Sequence, residues 1–349
     1  MMETQEFLIK LCEASSVSGY ESEKAEIIRE AFSEYVCDVS PDALGNLIAV
    51  KKGRGKGKLM LAAHMDEIGL MVTDIDEKGF IRFTSIGSID SRILPAQEVI
   101  IHGKEKLFGV IGVKPPHITP PEEKDAAVKI QDLVIDAGYN REKLQTLIGV
   151  GNIITFRSKA KILKNRLVSA KAMDDSVGIA VLYSALKHLN DVNHDLDIYF
   201  VATAQEEVGL RGAITSTYNI KPDIGVAIDG GFAKTPELDE IKTIEMGKGP
   251  SIGIGPGIHP GVFELFKKAA KDANLKYQIE VFSSRTDTDA DNIQISGTGV
   301  AAGVISVPVK YMHTPVETVD LFDIEQAGRL IYEFVRSFNN TELEKALCL

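Results

Sequence analysis

Three short apolar runs, each long enough for one buried strand, constrain the fold of this chain most strongly. They are Lys58–Ala63, Asp197–Ala204 and Ile224–Asp229, and apolar runs of this length between turn signals are typical of strands inside a sheet. Patterns with helical spacing lie around and between them, at residues 18–35, 176–189, 261–273 and 323–338. Strands that alternate with helices predict an α/β fold whose sheet contains parallel pairs.

The first of these helices has a recognisable start. Ser18 is followed three residues later by Glu21, and this spacing matches a capping box, in which both side chains bind backbone N–H groups of the first turn. Ala25, Ile28 and Phe32 then recur at helical spacing. The pattern predicts an amphipathic helix over residues 18–35.

Residues 72–162 differ in character from the sequence on either side. They are rich in Gly, Val, Ile and Pro, with short apolar runs at Glu98–His102 and Leu107–Val113. This predicts an inserted β-rich domain, so that residues 1–71 and 163–349 together form the main domain. Two domains also suit a chain of 349 residues, because domains typically contain roughly 100–200.

The bulk composition excludes several classes of partner. A formal net charge of −11 argues against nucleic acid and against an anionic membrane surface, both of which require clustered basic residues. The three cysteines, Cys12, Cys37 and Cys348, form no CxxC pair, which excludes a cysteine zinc site. Neither a secretory signal nor an apolar run of about 18 residues is visible. We therefore expect a cytoplasmic protein with no membrane partner.

Acidic and histidine residues follow the predicted strands. His64 and Asp66 come directly after the first apolar run, a spacing that suits a metal-ligating histidine whose second ring nitrogen is oriented by a carboxylate. Asp174 and Asp175 precede an apolar helix. One of the two suffices to cap that helix, so the other is free to ligate and could bridge two cations.

Three further segments complete this set. Glu206 and Glu207 end an intensely apolar strand, where two adjacent carboxylates repel each other unless a cation lies beside them. Asp229 ends another strand before a Gly-Gly turn, and His313 follows the apolar run 303–309. Taken singly, each has an ordinary structural explanation. Together they make a mixed N/O ligand set that suits zinc, cobalt or manganese.

Five ordered segments carry a resemblance to a known family. They are AAHMDEIGLMV, AKAMDDSVGIAVL, TAQEEVGLRGA, AIDGG and KYMHTPVE. They resemble the tetrahedral, or TET, metallo-aminopeptidases, which include glutamyl and deblocking aminopeptidases and proteins once labelled cellulase M. The resemblance runs from about residue 5 to 335, nearly the whole chain. This chain departs from many relatives at Ser176, where they carry Arg, and at Gly230, where they carry an apolar residue.

The resemblance implies a fold and an assembly. The fold is a mixed-sheet, three-layer metallopeptidase domain with a small inserted β-barrel-like dimerisation domain, which corresponds to residues 72–162 here. Family members assemble as dimers and hollow dodecamers, so a homo-oligomer is expected. Peptides with a free N-terminus are the expected substrates.

The resemblance also implies the roles of individual residues. His64 would ligate one metal and Asp174 would bridge both, while Glu207 and Asp229 would each ligate one metal and His313 the other. Asp66 would orient His64, and Glu206 would be the general base that deprotonates water activated by two divalent metals. The segment 286–290, which contains Asp289, resembles a further family segment near the site and has no assigned role.

Three other functions remain open from the residues alone. A two-metal carboxypeptidase or amide deacylase needs a cation for the substrate carboxylate, and Arg92, Arg211 or Arg285 could supply it. A glycosidase needs two carboxylates without metal, but the chain has no tryptophan for sugar stacking. A metal-stabilised scaffold would bind metal without turnover.

Overall fold

The computed structural model describes residues 2–55, 57–115, 117, 128–236, 238 and 243–338. Cys348 and residues 118–127 of the predicted insertion therefore lie outside the described residues. The chain begins with α1 (Thr4–Glu13), α2 (Ser22–Phe32), β1 (Asp38–Pro41), β2 (Leu47–Lys51) and β3 (Lys58–His64). A second group follows, consisting of β4 (Gly69–Ile75), β5 (Ile81–Ile86), β6 (Glu98–His102), β7 (Lys106–Gly112), β8 (Val134–Asp136), α3 (Arg141–Leu147) and β9 (Ile153–Phe156).

The second half of the chain returns to the larger domain. Its elements are β10 (Lys161–Ile162), β11 (Leu167–Ala170), α4 (Met173–His188), β12 (Asp197–Thr203), α5 (Arg211–Ile220), β13 (Ile224–Phe232), β14 (Ser251–Ile254), α6 (Pro260–Asp272), β15 (Gln278–Val281), α7 (Asp289–Ile295), β16 (Ala301–Val309), β17 (Glu317–Asp320) and α8 (Leu321–Ser337).

A mixed sheet forms the centre of this domain, with strand order β1-β2-β12-β3-β13-β16-β14-β15 within the described chain. The four strands β12, β3, β13 and β16 are mutually parallel, while β2 and β14 join them antiparallel. Strand β3 buries Leu59 and Leu61 in one core cluster and Met60 and Ala62 in another. Successive side chains of a strand point to opposite faces, so both faces of the sheet are covered by helices. The predicted three-layer α/β fold with a mixed sheet is confirmed.

The second group of strands closes into a barrel of its own. The order around it is β4-β5-β8-β7-β6-β9, and its interior is a separate hydrophobic cluster that includes Val72, Val99 and Ile135. The barrel strands span Gly69 to Phe156, whereas β10 pairs with β11 outside the barrel. A β-barrel inserted between β3 and β10 therefore confirms the fold predicted for this part of the chain.

The predicted capping box is wrong. Helix α2 begins at Ser22 rather than at residue 18, and no side-chain hydrogen bond caps it within the described chain. The Ser18 hydroxyl instead donates to Asp66, and the Glu21 carboxylate accepts from Gly19 and Gln205. The S-x-x-E spacing is the same in both arrangements, so a local pattern alone does not separate them.

Two further differences concern strand and helix ends. Strand β13 continues through Phe232, so Gly230 and Gly231 lie within a strand and not in the predicted turn. Asp174 and Asp175 are assigned to α4, but their backbone angles are not helical and the peptide bond between them is cis. Across the residues that the structure describes, none of the helices is both long and apolar enough to pass through a bilayer.

Candidate metal centre

The carboxyl ends of the parallel strands bring the predicted residues together at one edge of the sheet. His64 is the last residue of β3, and its partner in β12 is Thr203, also the last residue of its strand. Asp229 lies two residues beyond Ala227, which pairs with Ala62 of β3. In open α/β sheets, ligands commonly bind at this edge.

His64 is a buried side chain with acidic groups on both ring nitrogens. Its Nε2 atom lies 3.1 Å from Oδ1 of Asp174 and 3.9 Å from carboxylate oxygens of Glu206 and Asp229. Its Nδ1 atom lies 3.1 Å from the backbone oxygen of Asp66 and 3.6 Å from the carboxylate of that residue. The backbone contact is the shorter, and both contacts suit an Nδ1–H that leaves Nε2 as the ligating nitrogen.

The adjacent residues Asp174 and Asp175 make different contacts. Asp175 is fully buried and accepts the backbone N–H groups of Gly178 at 2.8 Å and of His64 at 3.2 Å. Asp174 presents one carboxylate oxygen to His64 and the other to Nε2 of His313, at 3.4 Å. Asp175 therefore binds backbone N–H groups, whereas Asp174 lies between His64 and His313.

His313 approaches from the loop after β16. Its Nε2 atom lies 3.2 Å from Oε1 of Glu207, and its Nδ1 atom contacts the backbone oxygen of Ser88 at 2.9 Å. The buried carboxylate of Glu317 accepts the backbone N–H of His313 at 2.6 Å and that of Asp174 at 3.2 Å. Glu317 thus links the two segments, a role that its place at the end of KYMHTPVE does not reveal.

Glu206 and Glu207 lie on the loop after β12, and Asp66 holds both of them. The fully buried Asp66 carboxylate accepts the backbone N–H of Glu206 at 2.9 Å and that of Glu207 at 3.1 Å. Because two backbone bonds converge on one side chain, the two glutamates keep a fixed position relative to the β3 end.

Other buried charged side chains lie beside these residues. Lys171 donates to both oxygens of Glu67, at 2.9 and 2.7 Å, and to the backbone oxygen of Ala14. Asp289 accepts from the hydroxyl of Thr203 at 2.5 Å, and its other carboxylate oxygen is buried without a hydrogen-bond partner in the described chain. The sequence gives no signal for the Lys171–Glu67 pair beyond the residue types.

The centre buries several carboxylates close together, and this shifts the pKa values of its groups. Burial, together with the neighbouring acids Asp229 and Asp289, raises the pKa of Glu206 to about 10 despite the opposing charge of His64. Burial would lower the pKa of His313, but its bonds to Asp174 and Glu207 raise it to about 11. Such shifts are expected where carboxylates crowd together with no cation beside them.

The donor set fits divalent cations. In the described chain, ligand atoms of His64, Asp174 and Glu207 lie within 4.8 Å of one another, as do those of His64, Asp175 and Asp229. Asp175 is the less suitable ligand of the second group because backbone N–H groups already occupy both of its oxygens. Imidazole nitrogens mixed with carboxylates are the ligands that zinc and similar ions prefer.

An acidic centre with two histidines at the carboxyl edge of a mixed sheet defines a class of metal-dependent hydrolases. Comparison with known proteins identifies the family within it, since residues 45–330 match the model of the M42 glutamyl aminopeptidases. The chain belongs to this family. Its membership makes it an enzyme that hydrolyses peptides.

Individual relatives match over almost the whole chain. A lysyl aminopeptidase from Pyrococcus furiosus is 36% identical over 332 residues, which cover 93% of this chain and 94% of the relative. The structure of an aminopeptidase from the archaeon Desulfurococcus kamchatkensis matches with a TM-score of 0.92 and 37% identity, covering 98% and 97% of the two chains. The Pyrococcus horikoshii TET1 peptidase, which can assemble into a tetrahedron or a large octahedral shell, matches with a TM-score of 0.85 and 32% identity, covering 96% of this chain and all of that one (100%).

Proposed function

We propose that this protein is an aminopeptidase that uses two divalent metals per subunit and Glu206 as general base. The observation that carries the proposal is the position of Asp174, whose two carboxylate oxygens face His64 and His313 separately. A carboxylate placed between two ligating histidines could serve both ions. His64 and Asp229 would complete one ligand set, and His313 and Glu207 the other.

Glu206 is the residue best placed to move a proton. Its backbone is fixed by Asp66, and its Oε2 atom lies 3.9 Å from Nε2 of His64, whereas Glu207 is engaged by His313. Bound metals would polarise the scissile carbonyl and acidify water. Glu206 would accept the proton of the attacking water and later deliver it to the leaving amine, as general acid–base catalysis requires.

The charge of the centre favours substrates with a free N-terminus. The carboxylates of Glu206, Asp229 and Asp289 lie close enough to influence one another's ionisation, and a positive α-amine would be attracted to any carboxylate of this group that is ionised once the metals are bound. An acetylated N-terminus loses that attraction together with its charge. We therefore infer exopeptidase action at free N-termini.

The arginines that a carboxypeptidase or deacylase would need are largely engaged elsewhere. Arg92 pairs with Asp90 on the surface, and Arg285 pairs with Asp291 at 3.1 Å. Arg211 reaches Gln205 only at 3.5 Å, so it is the one of these three candidates with a weak partner. A substrate panel that includes free carboxylates tests this alternative directly.

Zinc or cobalt suits the ligand set best, and manganese is compatible with it. The TET1 relative forms large shells, and we infer a homo-oligomer here as well. The barrel within residues 72–162 would be its dimerisation domain, and residues 1–71 and 163–349 the catalytic domain. The barrel face of β7 supports this assignment because Phe108 and Val110 are about half exposed there, where a soluble monomer would favour polar residues.

The test is to strip the protein with chelator and restore zinc, cobalt or manganese separately. Each form is assayed on aminoacyl-anilides of Glu, Leu and Lys, on their N-acetylated forms and on peptides with free carboxylates. Cleavage of free-amine substrates alone, restored by metal, is expected and also ranks residue preference. Equal cleavage of acetylated substrates would contradict amine recognition, and full activity of a protein shown by elemental analysis to be metal-free would contradict the metal mechanism.

A further inference from the structure

The loop that carries Glu206 is held by side chains at four consecutive backbone N–H groups. Asn46 accepts the N–H of Ala204 at 2.9 Å, and Glu21 accepts that of Gln205 at 3.2 Å. Asp66 accepts the next two, at 2.9 and 3.1 Å. The loop therefore gets its shape from side chains that are distant in sequence.

Gln205 shows why such support is needed. Its φ angle is 59°, in the left-handed region that residues other than glycine seldom occupy. A backbone in this conformation persists only when surrounding contacts fix it. Glu21 supplies one of these contacts, and its same Oε1 atom also accepts the N–H of Gly19 at 2.7 Å.

Ser18 connects this support to Asp66. Its hydroxyl donates to Oδ2 of Asp66 at 2.6 Å, and that same oxygen accepts the N–H of Glu207. Ser18 and Glu21 are both buried, at 7% and 8% exposure, so water cannot readily replace their bonds. Neither side chain caps α2. Apart from the bond between Glu21 and Gly19, their hydrogen bonds go to Asp66 and to the loop that carries Glu206.

We propose that Ser18 and Glu21 are positioning residues for the reaction, and that the S-x-x-E segment at residues 18–21 acts as a clamp on the loop that carries Glu206 and Glu207. Ser18 would hold Asp66 in the rotamer that receives both glutamate N–H groups. Glu21 would hold the left-handed turn at Gln205. Neither would touch the substrate. The inference rests on the proposed function of Glu206.

The experiment compares removal of each bond with its conservative replacement. Ser18→Ala and Glu21→Met remove the hydrogen bonds, whereas Ser18→Thr and Glu21→Gln keep a hydroxyl and an accepting oxygen. Ser22→Ala, at an exposed position at the start of the same helix, is the matched control. We measure kcat, KM and thermal midpoint at saturating metal.

For Ser18→Ala and Glu21→Met we expect kcat to fall about 10- to 100-fold, the usual effect of losing a hydrogen bond that holds the groups around a metal site in place. KM should change little, and the thermal midpoints should stay close to those of the conservative variants, which should keep most of the activity. Unchanged kcat with a lowered midpoint would overturn the proposal, because that is the behaviour of a helix cap. Equal losses in the removing and conservative variants would also overturn it.

Glu206→Gln separates this inference from the function on which it rests. If Glu206→Gln lowers kcat strongly while Ser18→Ala and Glu21→Met leave kcat unchanged, the general base stands and the clamp is wrong. If Glu206→Gln retains full turnover with its metals bound, the proposed function itself fails.

Discussion

Nε2 of His313 lies 3.4 Å from Oδ2 of Asp174, and the other oxygen of that carboxylate faces His64. Asp174 therefore contacts both histidines, and we propose that it serves both metals whereas His313 serves one. This difference predicts different metal losses for different substitutions.

Asp174→Ala should lose both metals, whereas His313→Ala should keep one. The reason is that a bridging ligand contributes to two sites and a terminal ligand to one. Elemental analysis of each variant after dialysis against limiting zinc measures the bound metal per subunit. Equal metal content in the two variants would contradict the bridging role, and Ser22→Ala serves as the control.

Metal affinity should rise with pH. Before metal binds, the pKa of His313 stands at about 11, because hydrogen bonds to Asp174 and Glu207 outweigh the lowering effect of burial. The pKa of Glu206 is also raised, to about 10, in this case mainly by burial. A raised pKa means that these groups hold protons at neutral pH, and a ligating imidazole must release its proton when a cation binds.

Calorimetric titration with zinc checks this sign. Between about pH 6 and pH 8 the apparent affinity should increase, and in buffers of different ionisation enthalpy the heat should report protons released to the buffer. Proton uptake on binding, or an affinity that falls as pH rises, would contradict the proposed exchange of protons for metal.

Much of this centre could be predicted from the sequence. The apolar runs locate β3, β12 and β13, and parallel strands necessarily bring their carboxyl ends to the same edge, so His64, Glu206 and Asp229 could be placed together. The contacts of Ser18 and Glu317 could not, because both join segments that are far apart in sequence. Ser18 in particular satisfies a local capping rule that the folded chain does not use.

The buried pair of Lys171 and Glu67 should be important for stability. Lys171 is 4% exposed and Glu67 2%, so Lys171→Met would leave a buried carboxylate without its cation. Removing one partner of such a pair costs about 3–5 kcal/mol. Chemical denaturation measures the loss, with Lys10→Met in the exposed Lys10–Glu6 pair as the control, for which the change should be below about 1 kcal/mol. Similar small losses in both variants would contradict the prediction.

The exposed face of β7 should mediate subunit contact. Phe108 is 53% exposed and Val110 51%, and the Arg157 guanidinium lies 3.9 Å from the centre of the Phe108 ring. Charged residues are disfavoured in the core of an interface, so Phe108→Asp combined with Val110→Asp should lower the mass of the assembly. Light scattering after size exclusion measures it.

Val150→Asp is the control for this prediction. Val150 is more exposed, at 74%, and lies in the loop between α3 and β9 rather than on β7. The assembly should survive this change. An unchanged mass in the Phe108 and Val110 variant would contradict a subunit contact through β7.

The central claim is that Glu206 moves the proton at a centre whose metals are held by other residues. The most direct measurement is kcat together with metal content for Glu206→Gln, which preserves the shape of the side chain but cannot accept the proton. We predict metal content equal to that of the unsubstituted protein and a kcat lower by about 10²- to 10⁴-fold, the usual contribution of a general base. Full turnover by Glu206→Gln with its metals bound would contradict the claim.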